Sequence, residues 1–156
     1  MTAARKGKPT QLDDRAKARL RAAMHEAGRF IVANHFGVAQ AASVYPVGNG
    51  DQFIGKTIYS PTSPANEAVI GWAGPLAEMR LGKSPEQWQD DCNAVWEMFA
   101  ANQLTKTDSD LINRHAEKKK SFAQAVKILS GQLDEITRTA IDIFRCGTSI
   151  NFPSEL

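Results

Sequence analysis

Residues 10–36 contain no proline, and Leu20, Met24, Ala27 and Ile31 recur at the spacing of one helical face. Capping side chains between Thr10 and Asp14 and a stop at Gly37 bound a long first helix in which Gly28 is the one weak interior position. The pattern then changes period. Residues 38–47 and 53–60 are rich in β-branched and aromatic side chains and flank Gly48-Asn49-Gly50-Asp51, which predicts a β-hairpin. After a proline-bounded loop, helical spacing returns over residues 66–81, with a kink or restart expected at Gly74-Pro75. Ser84-Pro85-Glu86-Gln87 is a helix start, with a capping serine, proline in the first turn and glutamine three residues after the cap. That helix carries Trp88, Cys92, Val95, Trp96 and Phe99 on its apolar side. Asp108-Ser109-Asp110 opens another, reaching about Ser130 before Gly131, and a last helix covers residues 133–145. The expected fold class is mainly α (α+β), with one small hairpin and no internal repeat.

At 156 residues, the chain suits a single domain. We divide it into a basic, mobile N-terminal arm over residues 1–20 leading into the first helix, a domain over 21–147 and a tail over 148–156. Hydrophobic residues make up 42% and charged residues 23%, ordinary values for a globular protein that argue against wholesale disorder. No apolar run approaches the ~18 residues of a membrane span, and no signal peptide is apparent, so the expectation is a cytoplasmic protein with no membrane partner. Cys92 and Cys146 lack metal-site or disulfide spacing. The net charge of +2 is uneven: residues 1–21 carry +5 and the remainder −3. The basic stretch over residues 5–21 offers a weak contact for nucleic acid or an acidic protein surface, although no aromatic residue interleaves with its charges. Lys118-Lys119-Lys120 reads as a solvated helix face, and the three tryptophans read as core or interface aromatics.

The chemically informative stretch is His25-Glu26-Ala27-Gly28-Arg29. In the zinc-peptidase signature H-E-x-x-H, two histidines four apart on a helix hold the metal and the glutamate polarises the attacking water. Here the second histidine is replaced by Arg29, which stays protonated and has no lone pair for a cation. His35 lies about 80° round the helix and about 15 Å along it from His25, so it cannot fill the gap. His115 reaches the site only if the fold brings it there. No G-x-x-x-x-G-K-[ST] loop is present, so ATP is not an expected partner.

His25-Glu26-Ala27-Gly28, the hairpin, Ala73-Gly74-Pro75-Leu76-Ala77-Glu78 and the closing Ile128-Leu129-Ser130-Gly131-Gln132-Leu133-Asp134-Glu135-Ile136 together resemble the peptidase domain of the FtsH-type AAA+ zinc metalloproteases. The resemblance spans roughly residues 20–145 and is to a stand-alone domain, similar to small proteins of bacterial and phage genomes. It implies a zincin-like fold, His25 as first zinc ligand, Glu26 as general base, Arg29 at the replaced ligand position, and Asp90, with Asp91 as the alternative, as the aspartate ligand. It also implies that the strand holding Phe53, Gly55, Thr57 and Tyr59 is the edge that grips a peptide by β-addition. With two ligands left where catalytic sites keep three, no cofactor is expected, and zinc only if the protein is active. Arg29 is then either turned to solvent or seated in the metal position against Asp90 or Asp91 and Glu26. The expected function is a protein- or peptide-binding pseudopeptidase, such as a phage or mobile-element modulator of a host complex. The alternatives are an active zinc metallopeptidase and a nucleic-acid binder acting through the basic arm.

Overall fold

The computed structural model describes residues 10–48, 52–146 and 148–150. Helix α1 (Thr10–His35) is followed by strands β1 (Ala39–Val47) and β2 (Gln52–Tyr59). Six helices come next: α2 (Pro64–Glu78), α3 (Pro85–Asp91), α4 (Asn93–Ala100), α5 (Lys106–Ile112), α6 (Lys118–Ser130) and α7 (Leu133–Cys146). A short strand, β3 (Thr148–Ile150), is the last element among the described residues. The fold is mainly α with a small antiparallel hairpin. Among the described residues no helix is long and apolar enough to cross a membrane.

Helix α1, about 39 Å long, is the central element and touches both hairpin strands, α2, α6 and α7. From Ala23 to Ala33 it is buried on nearly every face, with Ala23, Met24, Ala27, Val32 and Ala33 almost fully enclosed. Surrounding a helix in this way forces any polar residue there to find a partner inside the protein. Glu26 and Arg29 are both buried within this stretch.

The sheet order is β2-β1-β3 with both pairings antiparallel, which leaves β2 at one edge. Its alternation is regular: Phe53, Gly55, Thr57 and Tyr59 face inward, and Ile54, Lys56 and Ile58 face out. Residues 148–150, expected as tail, instead add a strand to β1. Of the expected arm, residues 10–20 belong to α1 and residues 1–9 lie outside the described residues, as do turn residues 49–51 and residues 151–156.

Helix α2 starts at Ser63, whose side chain accepts from the Asn66 backbone N–H, and runs through Pro75 to Glu78 without the expected restart. The Ser84 capping box opens α3 as anticipated. The single helix expected beyond it is divided at Cys92, although Cys92 itself keeps helical angles. The helix expected from Asp108 to Ser130 is two helices separated by residues 113–117, which lets α5 and α6 each pack separately against α2. At the junction of α2, α4 and α6, the Trp72 ring stacks on Trp96 at 5.5 Å and meets Phe99 and Phe122 edge-on, while its Nε1 donates to Ser121 Oγ.

Candidate functional site

Small residues on α2 bring α1 and α5 together. A Cβ at Gly28 of α1 would lie 2.3 Å from Ala77 Cβ and 2.5 Å from the Ala73 carbonyl oxygen, so the two helices cross too closely to admit one. Gly74, next to that crossing, leaves the space filled by the His25 ring, and Gly71 accepts α5 against Leu111 and Asp108. Glu78 follows Gly74 by four residues and shares its face of the helix. This is the physical content of the Ala73-to-Glu78 pattern: it seats α1 and delivers a carboxylate to His25.

The result is a buried charged cluster. His25 Nδ1 lies 3.0 Å from Glu78 Oε1, and its Nε2 lies 3.2 Å from Asp108 Oδ1. Arg29 Nη2 donates to the same Asp108 oxygen. Asp108 Oδ2 accepts from the Thr105 hydroxyl at 2.9 Å, and Thr105 in turn caps α5. Carboxylates only accept, so a ring bonded to one on each side donates from both nitrogens and is an imidazolium. Burial pulls His25 toward neutrality, but its hydrogen bonds to Asp108 and Glu78 and the Asp108 charge outweigh it, raising the pKa from 6.5 to about 9. Burial likewise works against ionised Asp108. The His25 hydrogen bond and charge, then Arg29 and Thr105, prevail and hold it below its usual 3.8.

Glu26 lies on the hairpin side. Its Oε1 accepts from Thr57 Oγ1 at 2.7 Å, and β2 passes so near that a Cβ at Gly55 would stand 2.3 Å from Glu26 Cγ. Two cavities share Arg21, His25, Glu78 and Thr105 in their walls. One, of about 590 Å³, runs between α1 and β2 and is completed by Glu26, Arg29, Phe53 and Gly55. The other, of about 460 Å³, opens on the α2 side toward Met79, Val95 and Leu104.

His25, Glu26 and Arg29 therefore line one cleft, and Arg29 does not point to solvent. The aspartate is a correction. Asp90 is exposed on α3, whose buried face is carried by Trp88, and Asp91 pairs with Lys83 at 3.0 Å. The carboxylate that meets His25 and Arg29 is Asp108. The pattern Thr105-x-x-Asp108 was the available signal, because a capping threonine three residues ahead fixes Asp108 in the first turn of its helix. The strand holding Phe53, Gly55, Thr57 and Tyr59 is an edge of the sheet, and its inward side is engaged: Gly55 and Thr57 face Glu26, and the Tyr59 hydroxyl approaches Glu67 at 3.5 Å. Phe53 and Gly55 line the cavity between α1 and β2, and the outer residues Ile54, Lys56 and Ile58 are exposed. His35 packs edge-on against Phe36, and His115 Nδ1 accepts from the Glu117 backbone, so neither joins the cluster.

These residues do not fit a zinc ion. A metal-binding imidazole must present a lone pair toward the ion, and in this arrangement each His25 nitrogen is directed at a carboxylate oxygen. The oxygen of Asp108 that a metal would need is held by the Arg29 guanidinium. Glu78 and Asp108 lie on opposite ring nitrogens, so they cannot converge with His25 on one ion. No protein-family model matches the chain, and no curated protein matches it.

Proposed function

We propose that the chain is a peptidase-like, peptide-binding module of zincin type in which a fixed guanidinium replaces the catalytic metal. The observation that carries this reading is the Arg29–Asp108 ion pair, on the oxygen that also meets His25. One cation at the centre of the cleft balances the carboxylate that a metal ligand set would supply, and the geometry of α1, α2 and α5 is kept without a Lewis acid. Glu26 retains the position of a general base, but it has no polarised water to act on and serves instead to hold β2 through Thr57. Support for peptide binding comes from β2, which among the described residues pairs only with β1 and lies along the larger cavity.

The test is metal content together with turnover. Protein purified without added zinc is expected to carry well under one equivalent and to leave an unstructured protein substrate intact. The Arg29→His variant frees Asp108 and places a second imidazole four residues from His25, and it is expected to take up zinc with a tetrahedral Co²⁺-substituted spectrum. Near-stoichiometric zinc in the unaltered protein, or proteolysis abolished by Glu26→Gln, would overturn the proposal. So would a folded Arg29→His variant that takes up no zinc.

A further inference from the structure

The guanidinium donors and carboxylate oxygens around the two cavities are unequally used. Asp108 uses both oxygens, Glu78 Oε1 is on His25 and Glu26 Oε1 is on Thr57. The guanidinium groups are under-used. Arg29 is 8% exposed, and among the described residues its Nη2 bonds Asp108 while its buried Nε has no partner. Arg21, four residues before His25 and lining both cavities, is half-exposed, and among the described residues its ion pair, from Nε to Glu78 Oε2, is long at 4.0 Å. A buried N–H without an acceptor is costly, and an arginine offers more donors than one carboxylate contact can use.

Building on the reading of this cleft as a peptide site, we propose that it selects ligands by a single carboxylate, received by Arg21 at the mouth and by Arg29 at the floor. The group is one that presents two oxygens to a guanidinium fork, which a carboxylate does in plane. Its charge is set by the cluster itself. Arg21, His25 and Arg29 stand among Glu26, Glu78 and Asp108, three formal cations and three carboxylates, so a singly charged ligand group adds one negative charge to a neutral cluster where a dianion adds two and is the less tolerated. The neighbouring wall is apolar, formed by Ala18, Ala22, Phe53 and Ile54, and suits the body of an extended peptide along β2 rather than a free inorganic anion. The carboxylate is supplied either by an acidic side chain or by a peptide C-terminus.

Fluorescence polarisation with labelled peptides of alternating Val and Thr separates these cases. One peptide carries a central Glu and an amidated end, a second carries Gln and an amidated end, and a third carries Gln and a free carboxyl end. At least one carboxylate form is expected to bind about tenfold more tightly than the Gln amide, and which form does so names the source. Arg21→Gln is expected to reduce that ratio toward one. Replacing Glu by phosphoserine is expected to weaken binding. Equal binding of all three peptides, or a preference that survives Arg21→Gln, overturns the carboxylate site while leaving the peptide module standing. Failure of every peptide to bind overturns the module itself.

Discussion

Replacing Asp108 by asparagine preserves the side chain's shape and removes its charge, which isolates what the ion cluster contributes. Asp108 is 1% exposed and accepts from His25, Arg29 and Thr105. The variant leaves the Arg29 guanidinium buried with no anion in contact, and its amide N–H₂ must turn a donor toward either the two cations or the Thr105 hydroxyl. Removing one partner of a buried pair costs about 3–5 kcal/mol, a large share of the roughly 5–15 kcal/mol that holds a domain folded. For a chain of this size the midpoint of thermal unfolding falls by roughly 2–4 °C per kcal/mol, so a loss on the order of 10 °C is expected. Arg29→Met in the same background removes the stranded charge, and at least about 1–2 kcal/mol should return, because well-packed apolar replacements of buried pairs are commonly neutral or stabilising. Urea unfolding at neutral pH, followed by circular dichroism with m-values checked for constancy, reads both changes. A loss below about 1 kcal/mol in Asp108→Asn, or a double variant less stable than the single one, would refute the placement of charge described above.

Stability should also fall on the alkaline side. The folded state raises the His25 pKa from 6.5 to about 9, so this contribution is fully present below about pH 6.5 and is lost as pH rises through about 9. It amounts to about 3 kcal/mol, and urea titrations across that window should flatten in His25→Gln; an equally steep decline in that variant would show another group to be responsible. Gly28→Ala gains up to about 1 kcal/mol of helix propensity but forces a methyl group into the Ala73–Ala77 contact, and a net loss of about 1–2 kcal/mol is expected by thermal unfolding. Unchanged or higher stability would contradict the close crossing. Thr57→Val deprives buried Glu26 of its donor and should cost about 1–3 kcal/mol in urea unfolding, with no such loss when Glu26→Met, which has no acceptor to strand, is the background.

Elements stabilised by neighbours in sequence were legible from the chain. The Ser84 capping box, the run of the first helix and the alternation of the hairpin are local properties, and each appears where its pattern placed it. The site was legible only where it lay on one helix, as His25, Glu26 and Arg29 do. Asp90 was what the resemblance implied, yet the burial of Trp88 and Val95 decides which face of α3 and α4 turns inward, and that information belongs to the packing. The break between α5 and α6 was missed for the same reason. No proline or glycine marks residues 113–117, and the two helices separate because each docks on a different part of α2. Thr57 was seen as part of an edge strand, but its inward orientation toward Glu26 follows from which face of the hairpin covers α1.

The contacts of the charged cluster span long stretches of chain: 53 residues from His25 to Glu78, 79 from Arg29 to Asp108 and 83 from His25 to Asp108. Closing such loops is slow and is rewarded only after the intervening helices have docked. The hairpin, built from adjacent segments, can form early, whereas the cleft between it and α1 has no counterpart in a half-folded chain. Occupancy of that cleft is accordingly a readout of complete folding, and any ligand it takes acts thermodynamically as a clamp on the finished molecule alone.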